Sequence, residues 1–274
     1  MPELPDLQVI AESLNRRVKG ATIEEASVTR PIVVRNLTDR DLAGGLAGQR
    51  IENLSRRGKF LLFELSSGDW LVINFMRAGR LRYWGAGEKV RGKPFVTLRF
   101  ADGASLSYTD PAMMGKVYLT AALEHVPTVA SLGPDALDPA LTLSAFRENL
   151  RRRRGEIKGV LVNQSFVAGI GNAYADEILF RARVYPFRKT PSLDEDDVRC
   201  IYEAMRGVLD EAVGILRRRM GDDIHQEIRD FLQVHGRGAE PCPRCGNPIS
   251  QLTARGRLTN FCRRCQPGSM VSNR

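Results

Sequence analysis

Four cysteines stand in two pairs, Cys242-x2-Cys245 and Cys262-x2-Cys265, with sixteen residues between the pairs. Two such knuckles on a hairpin can present four thiolates tetrahedrally to one Zn2+, at about 2.3 Å per bond. A hairpin this short has little core, so the metal would supply its folding energy. A disulfide reading needs an oxidising compartment, and a redox reading expects one pair in a βαβ setting. The spacing therefore predicts one structural Zn2+ per chain. The fifth cysteine, Cys200, falls among helical positions with Ile201 and Met205 and is expected to be a buried structural residue.

A second constellation is Lys158 followed by Asn163-Gln164-Ser165 and Ala168-Gly-Ile-Gly-Asn172, running on to Glu177. A short helix gives way to a turn whose glycines free the backbone, and Asn172 is placed to cap the next helix. Free N–H groups at that helix start, beside Lys158 and Asn172, would cradle a phosphate. A plain helix–turn–helix packing joint explains the same residues.

These groups need elements to hold them. Leu4, Leu7, Ile10, Ala11, Leu14 and Val18 recur at helical spacing. Short strands follow, with candidates at 51–54, 60–65, 70–75, 80–84, 95–100 and 117–120. Turn signals such as Arg57-Gly58-Lys59 and Ala101-Asp102-Gly103 separate them. Regular short strands after one helix predict a sandwich or barrel. His125-Val-Pro127, Gly133-Pro134 and Asp138-Pro139 mark a linker. Helical periodicity then covers 143–150, 156–162, 173–183 and 194–216. The plan is a helix-and-sheet domain at 1–125, a linker at 126–141, a helical domain at 142–235, a finger at 236–266 and a disordered tail at 267–274.

The chain has 274 residues, 43% of them hydrophobic and 27% charged, which is ordinary for a globular protein. No apolar run reaches the roughly 18 residues of a membrane span. The acidic, proline-bearing start is unlike a secretory signal, so a cytoplasmic protein is expected. The formal net charge is +9, and only seven of the 41 cations are lysine. Arginine's planar fork suits phosphate and base edges, so the charge nominates a nucleic acid, although an arginine-rich codon bias would give the same composition. The runs Arg151–Arg154 and Arg217–Arg219 are each open to two readings, a solvated basic face or one that touches DNA. His125, His225 and His235 are scattered and are read as neither catalytic nor metal-bound.

Taken together, Pro2-Glu3-Leu4-Pro5, Arg56-Arg57-Gly58-Lys59, Leu132-Gly133-Pro134-Asp135, Ala168-Gly-Ile-Gly-Asn172 through Glu177, and the finger bearing Arg257 resemble the formamidopyrimidine-DNA glycosylase/endonuclease VIII family. The resemblance runs nearly end to end. It implies an α+β fold: an N-terminal helix plus a two-layer antiparallel β-sandwich, then a helix-two-turns-helix domain with a C-terminal zinc-finger hairpin. It also implies a monomer that removes damaged bases from double-stranded DNA and then cuts the strand by lyase chemistry. On that resemblance Pro2 is the nucleophile, Glu3 the acid/base and Lys59 a cation near the lesion. Lys158, Asn172 and Arg257 become phosphate ligands around a flipped nucleotide.

The chemistry is coherent. Once Met1 is removed, the secondary amine of Pro2 can attack C1′, and an α-amino group has a reference pKa of about 7.7–8.0. A base inside a duplex cannot reach that amine and must be flipped out, leaving a void. Members of the family usually fill it from Met-Ser-Gly and Asp-Pro-Arg-Arg-Phe-Gly loops. Here those loops read Arg77-Ala78-Gly79 and Asp110-Pro111-Ala112-Met113-Met114-Gly115. Met76, Arg77, Met113 and Met114 are the remaining candidates for the gap. Asp6 stands where the family usually has Glu, and the segment between Gly221 and His235 is short for the loop that covers oxidised guanine. Three functions remain to be separated: this enzyme, the same scaffold turned to lesions other than 8-oxoguanine, and a non-catalytic protein that recognises damaged or abasic DNA.

Overall fold

Residues Leu4–Val18 form the first helix, α1, and its apolar stripe from Leu4 to Val18 is buried. Pro5 sits in the first turn, where its missing N–H costs no helical hydrogen bond. The computed structural model describes residues 1–254 and 256–268, so the expected disordered tail beyond 268 lies outside the described residues. The chain divides into two compact units. One holds Met1–Ser131 with Val213–Ile228, the other Leu132–Ala212 with Arg229–Arg274.

In the first unit α1 is followed by β1 (Ile23–Val28), β2 (Val34–Asn36), α2 (Leu42–Leu46), β3 (Ile51–Arg57), β4 (Phe60–Leu65) and β5 (Trp70–Asn74). Then come β6 (Arg80–Trp84), β7 (Val96–Phe100), β8 (Ser105–Thr109), β9 (Lys116–Thr120) and a short helix, α3 (Pro127–Ala130). The strands make a four-stranded sheet in the order β1-β7-β8-β6 and a five-stranded sheet in the order β2-β9-β5-β4-β3. All pairs are antiparallel except β2 with β9 at one edge.

The sheets face each other. Leu71, Ile73 and Val117 from one share an interior space with Leu81, Leu98, Leu106 and Tyr108 from the other. Pairing of Leu61 with Ile73 and of Phe63 with Leu71 puts those β4 residues on the same inner face. Phe60 and Leu62 point the other way, and α1 packs against β3 and β4. Phe60–Phe63 is therefore apolar without alternation, because both of its faces are covered. Each such side chain contributes about 1.5–3 kcal/mol by leaving water.

Three hydrogen bonds fix the direction of α1 on the sheet. Arg56 Nε donates to Gln8 Oε1 at 3.0 Å, Leu54 N–H to Asn15 Oδ1 at 2.9 Å, and Gly20 N–H to the Ile51 carbonyl at 2.7 Å. The helix thus runs against β3, and its N-terminus lies at the end where β3 turns into β4.

The second unit contains α4 (Leu143–Arg151), α5 (Ile157–Leu161), α6 (Asn172–Ala182), the first part of α7 (Glu195–Arg219), and the hairpin β10 (Ser250–Ala254) with β11 (Arg257–Phe261). Thr142 caps α4 by accepting the Ala145 N–H at 3.2 Å. Acids in the first turn of α7 and arginines in its last turn match the helix dipole. Cys200 corrects an expectation: it is exposed. The buried stripe of α7 runs through Val198, Ile201, Met205 and Leu209, and Cys200 falls on the opposite face with Asp196 and Glu203. Among the described residues no helix is long and apolar enough to cross a membrane.

Candidate functional site

Glu3 is the N-cap of α1, in extended conformation and only 3% exposed, and Pro2 beside it is buried. The Glu3 N–H donates to Asp6 Oδ2 at 2.8 Å. A carboxylate at that position satisfies an N–H that the first turn leaves without a partner. Asp6, shorter than the Glu usual there, thus fixes the backbone that carries Glu3. The Met1 ammonium lies 3.1 Å from Glu227 Oε1, and Arg80 pairs with the same carboxylate.

Lys59 occupies the β3–β4 turn. Gly58 there has φ +56°, as the first central residue of a two-residue hairpin turn requires, and Lys59 follows it. Since Phe60 pairs with Asn74 and Asn74 with Lys116, this turn shares one end of the five-stranded sheet with the loops 75–79 and 110–115. Pro2, Glu3, Lys59, Met76, Arg77, Met113 and Met114 therefore gather at one end of the first unit.

The two loops are built tightly. Asp110 accepts the Gly115 N–H at 2.6 Å and the Ala112 N–H at 3.2 Å. A Cβ on Gly115 would come within 1.9 Å of the Tyr108 hydroxyl, and one on Gly79 within 2.7 Å. Tyr108 is 1% exposed, its hydroxyl has no hydrogen-bond partner among the described residues, and burial pushes its pKa above the ordinary value. Met76 and Met113 sit at φ +46° and +53°, a region that L-residues seldom adopt, and Met76, Met113 and Met114 are exposed. Residues with backbone held in this way cluster at functional loops.

In the second unit the glycine turn is stapled by Gln164. Its side-chain oxygen accepts the Gly169 N–H at 2.9 Å, while its amide donates to the carbonyls of Val162 and Ile170 at 2.9 and 2.8 Å. Gly169 itself has φ +104°. The N-cap of α6 is Gly171, which corrects the expectation that Asn172 caps the helix. The Asn172 side chain is used elsewhere: Nδ2 donates to the Leu258 carbonyl at 2.7 Å. Its Oδ1 is buried without a hydrogen-bond partner among the described residues.

Lys158 converges on the same oxygen. Its ammonium donates to the Leu258 carbonyl at 2.7 Å, to Thr259 Oγ1 at 2.9 Å, and pairs with Asp176 Oδ1 at 2.7 Å. Asp176 is fully buried, and its other oxygen accepts from Asn260 N–H at 3.1 Å and meets His235 Nδ1 at 2.7 Å. Glu177 accepts three backbone N–H groups, from Gln233, Val234 and His235, each at 2.9 Å. Burial nevertheless lifts its pKa above the usual carboxylate range, against the pull of those donors. Arg257, exposed at the start of β11, stands next to Leu258. The sequence reading named Lys158, Asn172 and Arg257, which the structure brings to or beside the Leu258 carbonyl, but not Asp176, Glu177, Asp6 and Gln164 as the groups that hold the motifs in place. The available signal was two adjacent acids inside an otherwise apolar helix, a placement that demands partners.

The four cysteines come together. Cys242 and Cys265 sulfurs are 3.8 Å apart, those of Cys245 and Cys262 3.5 Å, and all four lie within 4.8 Å of one another. Sulfurs bound tetrahedrally at about 2.3 Å would stand about 3.8 Å apart, so the set fits Zn2+. The Asn247 N–H draws the Cys245 thiol down to about 7, whereas burial and the neighbouring sulfurs push Cys265 up to about 12. A divalent cation resolves that conflict by stabilising all four thiolates together. Phe180, Val234 and Ile249 pack against Cys242 and Cys262, so the metal anchors the finger to α6.

Comparison with known proteins accounts for both units. Residues 1–117 match the family described as formamidopyrimidine-DNA glycosylase N-terminal domain, 132–232 its H2TH domain, and 239–268 the zinc finger found in FPG and IleRS. A formamidopyrimidine-DNA glycosylase from Heliobacterium modesticaldum is 38% identical over 277 residues, covering 97% of this chain and all of the relative. The crystal structure of Lactococcus lactis Fpg with abasic-site DNA is similar at TM-score 0.88 and 29% identity, covering 97% of this chain and 100% of that one. The same enzyme with Fapy-dG-containing DNA gives 0.87 and 29%, with the same coverage. With its zinc-finger cysteines clustered and its motifs in family order, this chain belongs to the formamidopyrimidine-DNA glycosylase family.

Proposed function

We propose that the protein is a bifunctional DNA glycosylase and abasic-site lyase of base excision repair, acting as a monomer on double-stranded DNA in the cytoplasm, at the nucleoid. The observation that carries the residue roles is the N-terminus: Pro2 and Glu3 are buried and fixed by Asp6 at the end of the sheet that also bears Lys59 and the methionine loops.

With Met1 removed, the Pro2 nitrogen uses its lone pair to bond C1′ while the bond from C1′ to the damaged base breaks. The base leaves with the electrons of that broken bond and takes up the proton that the secondary amine loses. Opening of the C1′–O4′ bond gives a protein–sugar iminium, with the proton for O4′ supplied through Glu3. The iminium acidifies C2′; loss of a proton there expels the 3′ phosphate and cuts the strand. Lys59 supplies a cation beside the lesion, and Arg77 and Met114 fill the void in the duplex.

Lys158 and Asn172 converge on one oxygen, the Leu258 carbonyl. A phosphate oxygen offers the same acceptor with a full charge, and Arg257 adds a bidentate donor beside it. Zn2+ held by Cys242, Cys245, Cys262 and Cys265 would have all four tetrahedral positions filled by thiolates and none open to water or substrate, so its role would be structural.

A second reading concerns the lesion. Residues 213–228 are strapped to the first unit by Arg217–Glu12, Arg17–Asp222 and Arg80–Glu227 pairs, and among the described residues no helix or strand follows Arg219 until Ser250. A short, tied segment favours abasic sites or oxidised pyrimidines over 8-oxoguanine. Strand cleavage across duplexes carrying each lesion, by wild type and Glu3→Gln, tests both points. Glu3→Gln should lose about 10²–10⁴-fold in excision while still binding DNA. Wild-type excision by that variant would remove Glu3 from the mechanism.

A further inference from the structure

The Arg151–Arg154 run takes no part in the chemistry above, yet it borders a cleft of the second unit. The geometry points to a docking site there for an acidic peptide segment with an apolar anchor, presented by a partner protein. The cleft encloses about 440 Å³ between the C-terminal end of α4, the turn at Thr190–Ser192 and the start of α7. That is within the roughly 300–1,000 Å³ of typical binding pockets. Arg147, Arg151, Arg153 and Arg154 stand on its walls, and Leu150, Leu193 and Val198 give it an apolar floor.

The walls are fixed in advance. Thr190 donates its N–H to the Gly155 carbonyl and its hydroxyl to the Arg153 carbonyl, both at 2.8 Å. Asp194 and Asp197 cap the start of α7 reciprocally, at 2.8 and 3.0 Å, and Arg188 holds Asp197 at 2.7 Å. Arg153 is steadied by Ser165, which accepts from it at 2.8 Å through its carbonyl. Arg154 makes no ion pair among the described residues.

Three features select a peptide over other anions. The cleft already binds a carboxylate: Glu195 accepts from Arg147 at 2.8 Å and from Arg151 at 3.2 Å, and its exposed side chain can yield to an incoming one. The guanidinia are spread out, since Arg147 and Arg151 lie about 6 Å apart along the helix and Arg153 and Arg154 follow beyond its end. One phosphate would need donors that converge, whereas successive aspartates or glutamates match a spread row. Leu150, Pro191, Leu193 and Val198 make part of the lining aliphatic, which suits a phenylalanine or leucine between the acids. A duplex has no apolar side chain to place on that floor.

The test is fluorescence anisotropy of the full-length, zinc-loaded protein with a labelled peptide of alternating aspartate and phenylalanine. Its companions are a peptide with serine for phenylalanine and one with asparagine for aspartate. Saturable binding of the first alone is expected, weakened at least about tenfold by the exposed-surface double change Arg151→Glu with Arg154→Glu. Circular dichroism and abasic-site cleavage by the double variant report whether it folds. Arg151→Gln with Arg154→Gln, which only removes charge, should give an intermediate loss. Equal binding of all three peptides, or binding indifferent to the arginines, would overturn the proposal. So would displacement of the peptide by a nucleoside monophosphate, which makes the cleft a nucleotide site. A parallel loss of duplex affinity in both variants would instead make this face part of the DNA contact. Cleavage activity is read separately, so failure of the docking site and failure of the enzymatic reading remain distinguishable.

Discussion

The two units hold their working residues by different means. At the end of the first unit, Glu3, Lys59 and the methionine loops stand on an apolar platform in which both faces of β4 are covered. Bonds such as Glu3 to Asp6 and Gly115 to Asp110 help set the final positions on that platform. In the second unit, Lys158 and Asn172 are held by a buried polar network through Asp176, Glu177 and the zinc finger. Apolar packing is non-directional and tolerant, and it suits a face from which a flipped nucleotide must be approached. A polar network demands that each partner be present, and it suits the phosphate grip proposed for Lys158 and Asn172.

The contrast predicts where damage should be felt. Removing Zn2+ by chelation, or Cys262→Ser, takes away on the order of 10 kcal/mol of folding energy from the finger. DNA binding should collapse, while the sandwich keeps its strand signature in circular dichroism. Retained affinity for abasic DNA in the metal-free protein would show that the grip does not depend on the finger. Next in size, Asp176→Asn leaves the Lys158 ammonium buried with an uncharged neighbour, which should cost about 3–5 kcal/mol. Hydrogen exchange should locate that loss in α5, α6 and β11; a loss spread evenly over the sandwich would contradict the contrast. The smallest effect belongs to the apolar side. Tyr108→Phe removes a buried hydroxyl that lacks a partner among the described residues, so stability should change by less than about 1 kcal/mol or rise slightly. A drop of several kcal/mol on thermal melting would reveal a hydrogen bond that the sandwich depends on.

Legibility in the sequence divides along the same line. Zinc spacing and the apolar stripe of α1 are visible because each depends on residue type at a fixed interval. Strands β4 and β5 are visible as continuous apolar runs. β8 is not, although it lies inside its sheet: its Ser105 and Ser107 are buried, and Ser107 accepts from the Trp84 indole at 2.8 Å. A hydrogen bond that satisfies a buried serine hides the alternation a strand should show. β2 is three residues long and pairs in parallel at the edge, so it carries no period to detect. Cys200 reads as buried and is exposed, because helical spacing alone does not fix where the apolar stripe ends. Asn172 falls at the expected turn, but its side chain serves Leu258, a partner 86 residues away that no local pattern reveals.

The central claim is that the N-terminal proline is the nucleophile, and borohydride trapping of the Met1-processed protein tests it most directly. Against a duplex with an abasic site, reduction should leave a covalent protein–DNA adduct. Peptide mapping should place that adduct on Pro2, and acetylation of the amine should abolish it. An adduct on a lysine, or none at all despite tight binding to the same duplex, would contradict the account.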